Sequence, residues 1–293
     1  MARMPAEPSR PAEQSRPAGV EITSPANPRI KQVVAMRRRR SREQAGVTLV
    51  EGLAEIELAL AAGLRPRSLY FCPALVSTEL LPIAARAEEL GTEVVAVSKA
   101  VFEKISYREG PDGWLAVVPS VASTLDSLKL GPHPLVIVCA GLEKPGNLGA
   151  ILRTADAAGV AAVIAADPVT DWGNPNVVRA SKGAVFSVPV ASATSVQALD
   201  WITGLGLRII AATPDAAQLV TDADLTGPTA IAVGAEQTGL SSEWLERAAE
   251  VVRIPMFGKA DSLNVSISAA IITYEAVRQR MQTGEMNPGQ PVL

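Results

Sequence analysis

The chain has 293 residues, 48% of them hydrophobic, which is enough to bury the core of one large domain or two modest ones. No apolar run reaches the ~18–20 residues of a membrane span, and the Pro-, Ala- and Arg-rich start has no apolar stretch typical of a secretory signal, so we expect a soluble, cytoplasmic protein. One histidine and two separate cysteines cannot assemble a transition-metal site, and we therefore expect no metal.

The net charge of −3 conceals an asymmetry along the chain. Residues 1–46 contain ten Lys and Arg against four Asp and Glu, a balance of +6, whereas the rest has a balance of −9. The basic side chains are most concentrated at Arg37, Arg38, Arg39, Arg40 and Arg42. Such a run favours a polyanionic partner, because phosphate contacts supply most non-specific nucleic-acid affinity. A solvated helix face beside a flexible arm would show the same pattern, so both interpretations stay open.

The first half of the chain alternates short apolar runs with helical patterns. Residues 1–20, where prolines alternate with small and charged residues, are predicted to be a disordered arm. A turn at 24–28 then begins a helix that carries the basic run. The following elements are predicted, in chain order, as a strand at 47–50, a helix at 52–62, a strand at 68–72, a helix at 82–90, a strand at 93–97, a helix at 101–105 and a strand at 113–118. They predict a small α/β domain over 21–120, which a linker at 121–134 separates from the rest.

From residue 135 the alternation resumes with longer apolar runs. The predicted strands are 135–140, 160–166, 185–190, 207–212, 229–233 and 251–255, and the predicted helices are 148–158, 176–181, 195–204, 242–249 and 265–282. Near-continuous apolar strands separated by helices indicate a parallel sheet covered on both faces, which binds ligands at the carboxyl ends of its strands. Residues 135–283 are thus predicted to be a second α/β domain, followed by a flexible tail at 284–293. Cys72 and Cys139 lie in predicted strands, where each is expected to be a small buried hydrophobe.

Three loops at the carboxyl ends of predicted strands contain residues that a simple connection does not need. The first loop, 141–147, places Asn147 at the start of a helix, where its side chain can accept a backbone N–H. Arg153 follows within two turns of the same helix. The less specific interpretation is an ordinary helix cap followed by a surface arginine.

In the second loop, Gly234 and Gly239 flank Glu236 just after a buried strand, so that the backbone can approach a ligand closely. This loop alone is also compatible with an ordinary βα connection. The chain contains neither a Gly-x-Gly-x-x-Gly dinucleotide motif nor a Gly-x₄-Gly-Lys-Ser/Thr phosphate loop. These absences from the sequence argue against a dinucleotide oxidoreductase and an NTPase.

The third loop, 254–264, is long for a connection inside a compact domain, and loops of this length are usually functional or mobile. It ends with Ser262 or Asn264 at a helix N-terminus, a position that favours anions, including carboxylates. A plain capping role for either residue is the alternative.

In this order and spacing, the three loops resemble the motifs of the SpoU (TrmH-like) family of RNA ribose 2′-O-methyltransferases, of the SPOUT class. The matching residues are Asn147-x-Gly149-x-x-x-Arg153, then Gly234-x-Glu236-x-x-Gly239-Leu240-Ser241, and finally Ile254-Pro255-Met256 with Ser262-Leu263-Asn264-Val265-Ser266. The resemblance covers residues 135–283, and it departs from the family at Gln237, where a glycine is usual. The first domain resembles, more loosely, the ribosomal-protein L30e-like RNA-binding domain that often precedes this catalytic domain.

The resemblance implies a deep trefoil knot in the second domain and a homodimer with active sites at the subunit interface. It also implies that S-adenosylmethionine binds in the knot. The residues implied in cofactor binding are Ala212, Thr213, Gly234, Ile254, Met256, Leu263 and Asn264. Those implied in RNA binding are Asn147, Arg153 and Arg179, to which the charge pattern adds Arg37, Arg38, Arg39 and Arg40.

The implied reaction is methyl transfer to a ribose 2′-hydroxyl, with Arg153, Glu236 and Asn264 as catalytic residues. An in-line attack on a sulfonium methyl requires alignment of the reactants and removal of the hydroxyl proton. The only histidine, His133, lies between two prolines in the linker. The family assigns the base to an arginine, but a guanidinium with a pKa above ~12 is a poor base. We therefore interpret Arg153 as a phosphate clamp and orienter of the hydroxyl, which leaves the proton acceptor open.

Within the family, the chain resembles actinomycete enzymes that methylate 23S ribosomal RNA and confer antibiotic resistance, of the avilamycin and thiostrepton type. The alternatives are a transfer-RNA ribose methyltransferase and a non-catalytic RNA-binding protein with the same fold. The separate first domain favours a ribosomal RNA enzyme, and the three intact motifs argue against a non-catalytic protein.

Overall fold

A computed structural model describes residues 21–77, 82–121 and 123–287, which form two β-sheets with helices packed on them. The arm predicted at 1–20 and residues 288–293 of the predicted tail lie outside the described residues. Within those described, no helix is long and apolar enough to cross a membrane, and no three His, Cys, Asp or Glu side chains are grouped so as to hold a metal ion. Cys72 and Cys139 are both buried and unpaired there, as predicted.

The first sheet contains four strands and is accompanied by five helices. The strands are β1 (Val47–Glu51), β2 (Ser68–Phe71), β3 (Glu93–Ala96) and β4 (Trp114–Pro119). The helices are α1 (Pro28–Ala35), α2 (Arg39–Ala45), α3 (Leu53–Ala61), α4 (Pro82–Glu89) and α5 (Lys99–Ile105). The strand order is β1-β4-β2-β3, in which β4 is antiparallel to both neighbours and β3 is parallel to β2. The predicted α/β alternation of this half is confirmed.

The prediction of one helix carrying the whole basic run is wrong, because α1 and α2 are separate helices with a break at 36–38. Arg42, which is buried, holds this break. Its Nη1 donates to the carbonyls of Met36 at 3.0 Å and Arg37 at 2.8 Å, and its Nη2 pairs with Asp171 Oδ2 at 2.7 Å. The arginines on either side of the break therefore do not share a single helix face.

The second sheet contains seven strands, and five helices accompany it. The strands are β5 (Leu135–Ala140), β6 (Ala162–Ala166), β7 (Val190–Ala193), β8 (Arg208–Ala212), β9 (Gln218–Leu219), β10 (Thr229–Val233) and β11 (Glu250–Arg253). The helices are α6 (Pro145–Ala157), α7 (Pro175–Ser181), α8 (Ser195–Gly204), α9 (Ser242–Glu246) and α10 (Val265–Thr283). Every pairing is parallel, in the order β7-β6-β5-β10-β8-β11-β9, which confirms the predicted parallel sheet.

This strand order gathers the three unusual loops. The first loop follows β5, the second follows β10 and the third follows β11. In the sheet, β10 lies beside β5, and only β8 separates it from β11. Since neighbouring strands lie about 4.8 Å apart, the three loops leave the sheet within about 14 Å of one another.

Two local predictions for this half are wrong. The strand predicted at 185–190 is a 3₁₀ turn at Ala184–Phe186 followed by a later strand, β7. Val185 and Val188 are buried there without forming a strand, since a short apolar run does not distinguish a strand from a buried turn. Helix α6 begins at Pro145 instead of residue 148, because proline is favoured as the first helical residue.

The last helix, α10, is anchored by a buried arginine. Arg280 is 2% exposed, and its guanidinium donates to the carbonyls of Leu225 at 3.1 Å, His133 at 2.8 Å, and Gly227. Burial lowers the pKa of Arg280. These bonds tie the end of α10 to the segments that precede β10 and β5, so the helix is held against the central strands of the sheet.

Candidate active site

A chain of side-chain hydrogen bonds joins the three loops at the carboxyl edge of the seven-stranded sheet. Asn264 Nδ2 donates to Asn147 Oδ1 at 3.2 Å, and Asn147 Nδ2 donates to Oε1 of Glu236. Lys144 Nζ lies 3.6 Å from the same Oε1. Each loop therefore contributes one predicted site residue to this network, which we call the Asn147–Glu236–Asn264 network. Their roles in catalysis stay predictions.

Donor and acceptor chemistry fixes the direction of the network. An ionised carboxylate only accepts, so Asn147 directs Nδ2 to Glu236 and Oδ1 to Asn264. Oδ1 of Asn264 already accepts from the backbone N of Ser266 at 2.9 Å and from its Oγ at 2.6 Å. Asn147 is 8% exposed and the Glu236 side chain 22%. Asn264 itself is exposed, so the network runs from the buried Asn147 to the surface, and its hydrogen bonds hold the three loops in one arrangement.

The two asparagines occupy different helix positions. The capping role predicted for Asn147 is wrong, because Lys144 occupies the N-cap position of α6 and Asn147 lies in the first turn, facing the other loops. The carboxylate of Glu236 beside this turn complements the positive end of the helix dipole. Asn264 is the N-cap of α10, as predicted, whereas the alternative, Ser262, lies exposed before the helix.

Two motif glycines are required by the packing of the chain itself. A Cβ on Gly149 would lie 2.4 Å from the Cβ of Ala180, so glycine here allows α6 and α7 to pack closely. A Cβ on Gly234 would lie 2.1 Å from the carbonyl carbon of Gly239, because the second loop folds back and Gly239 N donates to Ala235 O at 2.9 Å. Gly234 therefore shapes the second loop, and its contact with a cofactor stays a prediction.

The other residues predicted to hold the cofactor lie at the ends of β8 and β11 and in the third loop. They are Ala212, Thr213, Ile254, Met256 and Leu263. Thr213 N donates to Val252 O at 3.0 Å, which joins the ends of the two strands. Leu263 is 36% exposed. Within the described part of the chain, the backbone N–H groups of 256–263 donate to no acceptor. These backbone donors and accessible apolar side chains can contact a ligand that has both polar and apolar groups.

Arg153 lies apart from the network. Six residues along a helix correspond to about 9 Å and a rotation of about 120°, so Arg153 and Asn147 leave α6 on different faces. Arg153 is exposed, and its side chain makes no hydrogen bond or ion pair with any residue that the structure describes. It lines a cleft between α6 and α3, to which neither the second nor the third loop contributes. Among the residues that the structure describes, no hydrogen bond or ion pair joins the Arg153 side chain to Glu236 or Asn264.

Arg179, the second predicted RNA contact on the catalytic half, is exposed in the last turn of α7. Its Nη2 donates to Asn176 Oδ1 at 3.4 Å, a weak bond at the limit of hydrogen-bond geometry. The guanidinium is thus available to a ligand.

The basic run divides into bonded and free arginines. Arg37 Nη2 donates to the carbonyl of Lys104 at 2.8 Å, and Arg39 pairs with the carboxylate four residues later at 2.7 Å. Arg38 and Arg40 are exposed, and their side chains have no hydrogen bond or ion pair among residues 21–77, 82–121 and 123–287. The RNA-binding hypothesis for this run therefore depends first on Arg38 and Arg40.

Two residues with structural roles were not predicted, one beside the network and one that joins the two halves of the chain. Lys144 precedes Pro145 directly and faces Glu236, and its place in the first loop was a signal that could have found it. Asp171 holds Arg42 across the two halves of the chain, and nothing in the local sequence indicates that partner.

Comparison with known proteins agrees with this geometry. The sequence model of the SpoU rRNA Methylase family matches residues 134–274, and the sequence model of the MRM3-like substrate binding domain matches residues 27–116. A 23S rRNA (uridine(2479)-2′-O)-methyltransferase of Streptomyces viridochromogenes is 34% identical over 274 residues, which cover 90% of this chain and 94% of that protein. This chain belongs to the SpoU family.

Solved structures of SpoU-type enzymes match over the same extent. An RNA 2′-O ribose methyltransferase is 44% identical, with a TM-score of 0.76, over 89% of this chain and 100% of its own. The SpoU methyltransferase AviRb from Streptomyces viridochromogenes, in complex with AdoMet, is 31% identical, with a TM-score of 0.81, over 87% of this chain and 98% of its own. SpoU enzymes are RNA 2′-O-methyltransferases that bind S-adenosylmethionine.

Proposed function

We propose that this SpoU protein transfers a methyl group from S-adenosylmethionine to a ribose 2′-hydroxyl in 23S ribosomal RNA. The observation that carries the proposal is the Asn147–Glu236–Asn264 network, which joins one residue from each of three loops at the ligand-binding edge of a parallel sheet. The similarity to the 23S rRNA enzyme over nearly the whole chain supports ribosomal RNA as the substrate.

When bound, S-adenosylmethionine supplies an electrophilic sulfonium methyl that a nucleophilic oxygen displaces in line. The free N–H groups and apolar side chains of 256–263, with Ala212, Thr213 and Ile254 at the strand ends, would hold it. The network keeps the second and third loops in register with α6, and so fixes the cofactor-binding backbone before RNA arrives. Glu236 and Asn264 act in this scheme by positioning.

Arg153 acts on the RNA in this proposal. A guanidinium stays protonated, so it serves as a clamp for the phosphate and an orienter of the 2′-hydroxyl instead of as the base. Its exposure, and the absence of a partner for its side chain among the described residues, support this role. Its distance from the network along α6 supports a site completed by Arg153 of a second copy.

A homodimer is accordingly part of the proposal, and the surface of α10 supports it. Ile267, Ile271, Tyr274 and Met281 are 50%, 39%, 49% and 46% exposed, and their spacing places them on one face of the helix. Monomeric proteins rarely expose an apolar stripe of this kind. We propose that a second copy of this chain covers it. Sedimentation of the purified protein as a monomer at micromolar concentration would contradict this part.

The proposals about the knot and the domain boundaries rest on membership of the SpoU family. We propose a deep trefoil knot in the second half, and the hold of Arg280 on the segments before β10 and β5 supports a last helix enclosed by earlier chain. We also propose domains at 21–120 and 135–283, joined by a linker at 121–134, with an L30e-like first domain. The separate family matches at 27–116 and 134–274 support this division.

The proposed reaction is tested with tritium-labelled S-adenosylmethionine and transcripts of 23S rRNA, with a transfer-RNA mixture for comparison. We expect label in 23S rRNA, in a dinucleotide that resists alkaline hydrolysis because its 2′-oxygen is blocked. Label recovered in mononucleotides after alkaline hydrolysis would exclude ribose methylation. Labelling of transfer RNA alone would establish the alternative substrate. Cofactor binding without transfer to any RNA would favour the non-catalytic alternative.

We further propose that this methylation confers resistance to an avilamycin-like antibiotic, which the resemblance to that subgroup supports. Expression of the wild-type chain in a sensitive host should raise the inhibitory concentration, and the Arg153→Ala variant should not. The proposal would be contradicted if both strains were equally sensitive although the target ribose was fully methylated in the wild-type strain.

A further inference from the structure

A cleft of about 560 Å³ separates α3, in the first half of the chain, from α6 and the end of α7 in the second. This volume lies within the ~300–1,000 Å³ of small-ligand sites. The wall from α3 is apolar, with Leu58, Ala61 and Ala62, and the opposite wall contains Arg153, Lys182 and Phe186. An apolar face opposite two cations is a combination that can take an amphipathic, negatively charged ligand.

The charges of the cleft favour an anion. Arg153 and Lys182 are both exposed, and neither side chain has a hydrogen bond or ion pair with a described residue. Asp156, the carboxylate in the cleft, accepts from Ser187 Oγ at 2.7 Å. Two free cations therefore face one carboxylate that already has a partner.

Lys182 occupies a backbone position that favours glycine. It ends α7 in the left-handed region, with φ of 52° and ψ of 39°, a conformation that glycine adopts at no cost. Gly183 follows, and a Cβ there would lie 2.5 Å from Leu58 Cδ1, so α3 packs directly against this corner. A charged side chain in a strained position beside the docked helix suggests a role in binding.

Phe186 provides an aromatic wall. It is half-buried, packs on one side against the core and lines the cleft with the other. Unpaired RNA bases are commonly bound by stacking on aromatic rings. The cleft thus offers a ring for a base next to two cations for a phosphate.

We propose that this cleft binds one unpaired nucleotide of the substrate RNA, with its phosphate on Lys182 and Arg153 and its base against Phe186. The inference rests on the proposed function, because it places the nucleotide beside the arginine that orients the reacting ribose. It assigns α3 of the first half a direct part in substrate recognition, as the opposite wall of the site.

The test uses the full chain without cofactor and a short, fluorescein-labelled single-stranded RNA, whose affinity is measured by anisotropy over a range of salt. Lys182→Gln should weaken binding about tenfold, as expected for one charge-assisted hydrogen bond, and lower the salt slope by about 0.7. Lys182→Gly should weaken RNA binding as much as Lys182→Gln does. The melting temperature of the glycine variant should be equal to or above that of the wild type, because glycine is favoured in the left-handed conformation. Lys182→Arg should restore most of the affinity. Lys129→Gln, an exposed lysine outside the cleft, is the matched control.

Phe186→Leu keeps apolar volume in the core but removes the ring, and it should weaken binding about fivefold or more. Wild-type affinity and salt slope in both Lys182→Gln and Lys182→Gly would overturn the proposal. An equal loss in Lys129→Gln would also overturn it, because the effect would then be one of net charge. Unchanged affinity in Phe186→Leu would overturn the placement of the base. Because binding needs no methyl transfer, a protein that fails to methylate RNA but shows these losses would refute the proposed function and not the cleft.

Discussion

The substitution Asn147→Asp tests the network with almost no change in shape. It replaces the Nδ2 donor that Glu236 accepts with a second acceptor, while the other oxygen still accepts from Asn264. Two carboxylates in hydrogen-bond contact, ~3 Å apart, repel by ~5 kcal/mol at an effective dielectric constant of 20. Lys144, 3.6 Å from Glu236, and the 22% exposure of that side chain both reduce this figure. We expect a loss of ~2–4 kcal/mol of unfolding free energy at pH 8.

The loss should depend on pH, with a sign that the structure determines. Two carboxylates in contact cannot both ionise freely, so the folded variant retains a proton that the unfolded chain releases in the ordinary carboxyl range near pH 4. A proton bound more tightly in the folded state stabilises it at low pH, and this stability is lost as pH rises. The difference in melting temperature between wild type and variant should therefore be small at pH 5 and grow towards pH 8.

Thermal unfolding followed by circular dichroism between pH 5 and 8.5 measures both effects. Asn176→Asp, at an exposed asparagine in the first turn of α7, is the isosteric control and should lose no stability as pH rises. The double variant Asn147→Asp with Glu236→Gln restores one donor facing one acceptor, so it should recover most of the loss. An Asn147→Asp variant as stable as the wild type at pH 8, or a double variant no better than the single one, would refute the network.

Three further predictions concern arginines. Arg153→Ala should reduce methyl transfer more than tenfold, an effect above ~1.4 kcal/mol on the activation free energy. The affinity for S-adenosylmethionine, measured by calorimetry, should not change. Turnover above a tenth of the wild-type value would remove Arg153 from the mechanism. Arg280→Met leaves buried carbonyls without a donor and should lower the free energy of unfolding in urea by ~3–5 kcal/mol. Arg278→Met, on the exposed side of α10, should unfold like the wild type. Equal stability of the two variants would contradict the anchoring role. Replacing both Arg38 and Arg40 with Ala should lower the salt slope of RNA binding by about 1.4–1.8, and an unchanged slope would identify the run as a solvated surface.

Much of the candidate site was accessible from the sequence because its residues sit in loops whose positions follow from strand periodicity. Alternating apolar strands and helices predicted a parallel sheet, and the carboxyl ends of its strands are where Asn147, Glu236 and Asn264 lie. The cap at Asn264 was predictable too, since it depends on residues within one helical turn. Local patterns determine local structure, and these predictions needed nothing more.

Contacts between residues that are distant in the sequence could not be predicted from local patterns. Asn147 was expected to cap its helix, but its true partners are 89 and 117 residues away, and no periodicity indicates which loops will meet. The sequence predicts one helix over the basic run, yet two helices form there, and Arg42 is buried in a pair with Asp171, 129 residues distant.

The amino-acid sequence by itself thus determined the fold class, the edge of the sheet that carries the site and the residue types available there. Only the tertiary structure decided which of them bond to each other, that Gly149 and Gly234 are required by packing, and that Arg153 faces a cleft apart from the network. The physical reason is that hydrophobic periodicity encodes burial within one element, whereas side-chain pairing depends on strand order, and strand order is set by the packing of all the elements together.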